Sequence, residues 1–296
     1  MNDAPLLLHF AEDLSSASAI AEAAGFNQAV IERHRFPDGE IRLRLPVNLP
    51  ARVALLRTLD NPNEKLMELM LVTRTARTLG ARHVTLVAPY LAYMRQDIAF
   101  QPGEVVSQRV VGRFLAELFD AVITVDPHLH RVATLVEAVP VAQATVLSGA
   151  PLLADLIAKH YPRPLLVGPD EESAQWVAQA AARHGFEHAV CHKVRRGDCD
   201  VEIALPDTPV TSRNVVLMDD VASSGHTLTE AARLLLAAGA ASVDVAVTHA
   251  LFAGDAVKLI RLAGVGQIWS TDCIAHSSNA VSMSGLIAQS LLSHTT

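Results

Sequence analysis

The sequence predicts an α/β protein of two domains, each with a mainly parallel sheet flanked by helices. Three observations carry that expectation. Short apolar runs alternate with longer amphipathic stretches along nearly the whole chain. Strands buried on both faces read as unbroken apolar runs, and intervening helices make the parallel crossovers. The 296 residues are long for one core and suit two cores of about 150 residues each. There is also internal likeness: His83–Pro89 (HVTLVAP) resembles Pro164–Pro169 (PLLVGP), and Ala121–Pro127 (AVITVDP) resembles Val215–Val221 (VVLMDDV).

In order, the expected strands are Leu6–Phe10, Val53–Leu56, Val84–Ala88, Ala121–Val125, Pro164–Val167, Val215–Met218 and Val243–Thr248. Helical spacing falls between them, near 12–24, 64–79, 105–118, 148–160, 171–184, 227–238 and 254–263, with a last helix around Leu286–Leu292. Ile41–Leu45 differs, because Arg42 and Arg44 alternate with apolar residues. It reads as a half-exposed strand of a hairpin. Gln143–Gly149 reads as a boundary between domains 1–147 and 148–296, with the final helix packing back on the first.

Composition excludes several classes. Half the residues are hydrophobic, yet no apolar run approaches the roughly 20 needed to span a bilayer. Asp and Glu number 31 against 24 Lys and Arg, for a net charge of −7. That balance argues against a nucleic-acid or membrane-surface partner. Met1-Asn2-Asp3 lacks the basic start of a secretion signal. Cys191, Cys199 and Cys273 have no metal-type spacing and read as free thiols of a reducing cytoplasm.

The most informative segment is Asn214–Leu228, NVVLMDDVASSGHTL. An apolar strand ends on Asp219 and Asp220. The loop Ser223, Ser224, Gly225, His226 and Thr227 then opens an amphipathic helix with Leu228, Ala231, Leu235 and Ala238 on one face. Glycine, hydroxyls and unpaired helix N–H groups make a phosphate cradle. Acids beside such a cradle make sense as acceptors for sugar hydroxyls, at the carboxyl end of a parallel strand where ligands of open α/β sheets bind. An acidic turn before a Ser/Thr-capped helix is the plainer alternative. No Walker-type loop occurs, and Gly264-Val265-Gly266 lacks the third glycine of a dinucleotide fingerprint.

This strand, acid pair and loop resemble the signature of type I phosphoribosyltransferases and, within them, of ribose-phosphate diphosphokinases. Other segments match the second group in order along the chain. Phe36-Pro37-Asp38-Gly39-Glu40 is similar to its adenine-gripping loop. Ala88–Asp97 (APYLAYMRQD) is similar to its P-Y-x-x-Y-x-R-Q-D segment. Asp126-Pro127-His128, Gly168-Pro169-Asp170 and Lys193-Val194-Arg195 follow. Taken singly, the first could be an ordinary turn, Arg95 and Asp97 a surface ion pair, and Lys193, Arg195 and Arg196 a solvated basic turn. His128 and His130 alternate without nearby ligands, which rarely makes a zinc site. Departures include Ser223 and His226 in the phosphate loop and an acidic Asp170–Glu172 turn. They resemble a shorter, archaeal-type branch.

The resemblance implies two type I phosphoribosyltransferase-like domains and a reaction giving PRPP and AMP from ATP and ribose 5-phosphate. ATP would contact Phe36, Asp38, Gly39, Glu40, Arg95, Gln96, Asp97 and His128, with the Phe36–Glu40 loop serving a neighbouring subunit of a homodimer or larger assembly. Ribose 5-phosphate would contact Arg195, Asp219, Asp220 and Ser223–Thr227. Mg2+ would sit near Asp126, His128 and Asp170. Lys193 and Arg195 would be catalytic, at the base of a mobile lid over 196–213. Two alternatives stay open: a phosphoribosyltransferase working with a free base, and a non-catalytic regulatory paralogue.

Overall fold

The apolar runs build two six-stranded, all-parallel sheets, each at the centre of its own compact unit. The computed structural model describes residues 4–195 and 201–294, with 193–195 and 201–202 described by backbone alone. One unit comprises the chain up to Leu147 together with Met283 onward; the other is Ser148–Ser282. No described helix is long and apolar enough to cross a membrane.

The first unit runs β1 (Leu6–His9), α1 (Leu14–Ala24), β2 (Asn27–Val30), β3 (Glu32–Arg35), β4 (Ile41–Arg44), β5 (Arg52–Leu56), α2 (Pro62–Thr78), β6 (His83–Ala88), α3 (Ser107–Leu118), β7 (Ala121–Val125), α4 (Leu135–Ala138) and β8 (Gln143–Leu147). Its sheet has the order β2-β1-β5-β6-β7-β8. β3 and β4 stand outside that sheet as an antiparallel hairpin, with Arg33 opposite Leu43 and Arg35 opposite Ile41.

The second unit runs α5 (Ala150–His160), β9 (Leu165–Gly168), α6 (Ala174–His184), β10 (Glu187–Val190), β11 (His192–Arg195), β12 (Val201–Ala204), β13 (Asn214–Ala222), α7 (His226–Ala237), β14 (Ser242–Ala250), α8 (Ala256–Leu262), β15 (Ile268–Thr271) and β16 (Asn279–Val281). Its order, β10-β9-β13-β14-β15-β16, repeats the first strand for strand. It also has its own antiparallel hairpin, β11–β12, at the same point in the sequence of elements. The last helix, α9 (Ser284–Ser293), groups with the first unit and packs on α1.

The repeat is real, but its partners differ from those the sequence pairs. Topology matches β9 with β1, β13 with β5, β6 with β14 and β7 with β15. Short apolar strands look alike wherever they occur, so local likeness does not identify the equivalent strand. Within the expected boundary, Gln143–Leu147 forms the edge strand β8, and the first unit gives way to the second directly after it, at Ser148. Within the span expected as a lid, Val201–Ala204 pairs with β11. Residues 196–200, with Gly197, Asp198 and Cys199, lie outside the described residues.

Alternation along each central strand explains how one sheet feeds two cores. In β13, Val215 and Leu217 pack with Leu228, Ala231 and Leu235 of α7. Val216 and Met218 pack with Leu153 of α5 and Trp176 of α6 on the other side. Each fully buried aliphatic side chain of this kind contributes about 1.5–3 kcal/mol relative to exposure. These layers hold the carboxyl ends of β9 and β13 side by side, where the candidate residues lie.

Candidate active site

In the second unit, Asp219 and Asp220 are the last acids of β13 before its loop. The strand's alternation sets Asp219 on the face of Leu217 and Asp220 on that of Met218. Asp220 is 2% exposed and Asp170, after the neighbouring β9, is 7% exposed. Burial, then the charges of Asp220 and Asp170, pushes the Asp219 carboxyl well above the ordinary carboxylate range. Two buried carboxylates and a half-buried one, gathered at one sheet end, repel one another when ionised. The same acidity reaches Cys191, whose thiol is pushed up to about 11 by burial, Asp170 and Glu171. Cys191 and Cys273 are buried free thiols.

The turn carrying Asp170 is built around Gly168. A β-carbon there would lie 2.2 Å from Ser173 Oγ, the atom that donates to the Asp170 carbonyl at 2.6 Å. Asp170 Oδ1 accepts from Glu172 N–H at 3.1 Å, capping the short turn Glu171–Ser173.

The loop after β13 enters α7 through Gly225, whose φ is +76°. A β-carbon would also meet Ile260 Cδ1 at 3.1 Å and Ala256 at 3.3 Å. Glycine therefore answers both the left-handed backbone and the close approach of α8. No side chain caps α7. Its first-turn N–H groups, beside Ser223, Ser224 and Thr227, have no side-chain cap, an arrangement able to receive an anion. His226 is the first helical residue and is exposed. Lys193 and Arg195 lie on β11, opposite Ile203 and Val201; their side chains lie outside the described residues.

In the first unit, Phe36–Glu40 forms the tip of the β3–β4 hairpin. Gly39 N–H donates to the Phe36 carbonyl at 3.0 Å, and Phe36 N–H to that of Glu40 at 2.8 Å. Asp38 Oδ1 accepts from Glu40 N–H at 3.1 Å. Gly39 supplies φ +95°. The result is a tight, ordered turn that leaves Phe36 39% exposed for a ring of this size, set edge-on to His34.

Arg95 is exposed, but its two neighbours are engaged. Gln96 donates to Glu104 at 3.0 Å and accepts from Ser107 Oγ at 2.7 Å. Asp97 is buried and pairs at 2.5 Å with Arg131, not with Arg95. Its Oδ2 is buried without a partner. Asp126, after β7, is buried with φ +35°, and its N–H donates to the Leu147 carbonyl at 2.8 Å. A non-glycine residue held there is strained, a feature that clusters at functional sites. His128 and His130 meet Nε2 to Nε2 at 2.5 Å, so one ring donates to the other.

The sequence reading did not single out Glu104, Ser107 and Arg131, which brace Gln96 and Asp97. They lie outside the recognised motifs. The one available signal was the turn pair Pro102-Gly103 before Glu104, whose carboxylate closes the loop on Phe100 and Gln101 N–H.

Residues 6–118 match the family described as the N-terminal domain of ribose phosphate pyrophosphokinase, and residues 142–259 match the phosphoribosyl transferase domain. The chain is 34% identical to the ribose-phosphate pyrophosphokinase of Methanopyrus kandleri over 97% of its own length and 98% of the relative's. It is 32% identical to that of Methanosarcina acetivorans, over 93% and 95%. The crystal structure of phosphoribosylpyrophosphate synthetase from Mycobacterium smegmatis shares the fold, with a TM-score of 0.86, 22% identity and 99% of each chain covered. With matching domains in order and archaeal relatives aligned end to end, the chain belongs to the ribose-phosphate pyrophosphokinase family.

Proposed function

We propose that this chain transfers the β,γ-diphosphate of ATP to the anomeric hydroxyl of ribose 5-phosphate, giving PRPP and AMP. The observation that carries the reading is the end of β13. An acid pair there, Asp220 buried and Asp219 half-buried, is followed by an uncapped, glycine-entered helix, in a chain that also has the family's N-terminal domain. A phosphoribosyltransferase would need the first feature alone.

The 5-phosphate rests on the N–H groups and hydroxyls of Ser223–Thr227, and Asp219 and Asp220 accept from the ring hydroxyls. ATP binds through Phe36, Asp38, Gly39, Glu40, Arg95, Gln96, Asp97 and His128. The anomeric oxygen forms its bond to the β-phosphorus as the bond to the departing AMP oxygen breaks. The protein's task is positioning and charge neutralisation. Lys193 and Arg195, on β11, meet the charge that develops on the transferred group, and Arg195 also contacts the sugar phosphate.

Mg2+ fits the donors present. In the second unit Asp170 and the Asp219–Asp220 pair, and in the first unit Asp126, offer carboxylate oxygens, the hard ligands this ion prefers. The charges of Asp220 and Asp170 raise the Asp219 pKa, and a cation would relieve that repulsion. Asp126, His128 and Asp170 would hold it, directly or through water. Bound there, Mg2+ would supply positive charge to offset that of the phosphates.

The assembly is a homodimer or larger, with the Phe36–Glu40 loop completing a neighbour's nucleotide site, and the setting is cytoplasmic. One assay tests the reaction: protein, ATP, Mg2+ and ribose 5-phosphate, scored for AMP and PRPP. Release of ADP, or no product at all, would sink it. Mixing Phe36→Ala with Lys193→Ala chains restores activity if the loop serves a neighbour. No rescue despite proven subunit exchange would refute that arrangement.

A further inference from the structure

A buried charge network lies under the β3–β4 hairpin. Arg57, directly after β5, is 1% exposed. Its guanidinium stands 4.4 Å from the Phe10 ring centroid. It donates through Nε and Nη2 to Glu68 Oε2 at 2.9 and 2.6 Å, and through Nη1 to Asp13 at 2.9 Å. The other oxygen of Glu68 accepts from Arg33 Nη1, on β3, at 2.5 Å. One turn earlier on α2, Glu64 takes both terminal nitrogens of Arg35 at 2.7 and 2.6 Å.

The spacing is matched on both sides. Glu64 and Glu68 are four residues apart and share a helix face. Arg33 and Arg35 are two apart and share a strand face. α2 therefore grips one face of β3 by two guanidinium–carboxylate pairs, ending one residue before Phe36. β3 is exposed along its whole length, so no buried apolar residue of its own anchors it.

A two-stranded hairpin is marginal in water by itself. Burying Arg57 and Glu68 is costly, and an apolar pair often serves stability as well. A planar guanidinium held by a carboxylate fork adds orientation. A loop that must present an aromatic face and two carboxylates to a ligand needs that orientation, since small misplacement weakens the whole constellation.

We infer that Glu64 and Glu68 of α2 are positioning residues for the nucleotide, setting through Arg33 and Arg35 where the Phe36–Glu40 loop meets it. The inference rests on the reading that this loop binds ATP. The test is steady-state kinetics of the full chain with each substrate varied in turn. Glu64→Ala raises the KM for ATP about threefold to tenfold, with kcat and the KM for ribose 5-phosphate unchanged. The charge swap Glu64→Arg with Arg35→Glu brings the ATP value back to within about twofold of wild type. Glu68→Gln gives the larger rise. Should that buried substitution prevent folding, as judged by circular dichroism, the Glu64 variants decide the matter.

Phe36→Ala separates the two levels. If it raises the KM for ATP while Glu64→Ala leaves it unchanged, or shifts both substrates alike, positioning is wrong and the loop's role stands. If Phe36→Ala has a wild-type KM for ATP, the loop does not bind the nucleotide and both readings fall.

Discussion

The two units repeat one strand order, yet finish their equivalent strands β5 and β13 in opposite ways. β13 carries Asp219 and Asp220 near its carboxyl end at Ala222, and its loop opens on an uncapped helix. β5 is followed by Arg57, clasped by Glu68 and Asp13. The loop after it is closed on the protein's own groups. Lys65 Nζ donates to the Thr58 carbonyl and to Asp60, Leu59 N–H to the Tyr90 carbonyl, and Tyr90 N–H to Thr58 Oγ1. Even the left-handed entry is shared: Asn61 stands before α2 at φ +50° where Gly225 stands before α7 at +76°. A duplicated frame thus leaves one loop without a side-chain cap at its helix and fills the other from within. The lesson is that topology sets where a site can be, and local satisfaction of polar groups sets whether it is one.

The largest expected contrast is between the two hairpins. Lys193→Ala, on β11, should lower kcat by about 10²–10³-fold with little change in ribose 5-phosphate binding. Phe36→Ala should act on the KM for ATP instead. Near-normal kcat in the Lys193 variant would end the idea that the second hairpin is catalytic and the first is for binding.

Next is the shared left-handed position. Gly225→Ala meets both the backbone penalty and Ile260, and should weaken ribose 5-phosphate binding by roughly tenfold or more. Asn61→Gly, at the equivalent point, should leave both Michaelis constants unaltered. Isothermal titration with ribose 5-phosphate and the kinetics of each variant compare the two loops; equal effects would erase the distinction.

Stability against pH should separate the units more gently. Asp219 has a raised pKa in the folded protein, so folding binds protons there. From the ordinary carboxylate pKa upward, the unfolded chain ionises first and stability falls as pH rises through the folded value. Asp219→Asn removes that cost and should raise the Tm at pH 7 by about 2–4 °C, while weakening ribose 5-phosphate binding. The gain should shrink as pH is lowered. A Tm gain that persists undiminished in acid would show that the repulsion is not the cause.

The smallest effect has the opposite sign, in the first unit. His83 and His294 have pKa values lowered by burial. Their neutral forms suit the fold, where His294 bonds Thr145 at 2.8 Å and its carbonyl accepts from Arg52. Stability is therefore present above the unfolded histidine pKa and is lost as pH falls below it. His294→Gln should flatten that acid-side decline in calorimetric scans, and an unchanged slope would exclude His294 as its source.

Much of this was legible in the sequence. Unbroken apolar runs between amphipathic stretches mark β1, β5, β6, β7, β9, β13 and β14, since burial on both faces demands that pattern; the interior strand β15 escaped because half of its four buried residues, Ser270 and Thr271, are polar. The strand-to-helix turn with Asp219 and Asp220 before it and Gly225 at the helix entry was readable, because an apolar strand, a glycine and an amphipathic helix follow in succession. The edge strands β2 and β10 were not, because they are mostly exposed and polar, with no face to betray them. Nor were the true partners of the internal repeat, since local likeness says nothing of position in a sheet. The network of Arg57, Glu68 and Arg33 joins residues 11 and 35 positions apart. Only folding places Glu68 against two guanidinium groups, and only that placement turns a surface-type charge on an amphipathic helix into a buried anchor. Sequence determines which residues prefer burial and which backbone shapes are allowed. The tertiary structure decides which charges must share one dry space, because the cost of burying a charge depends on the partner beside it.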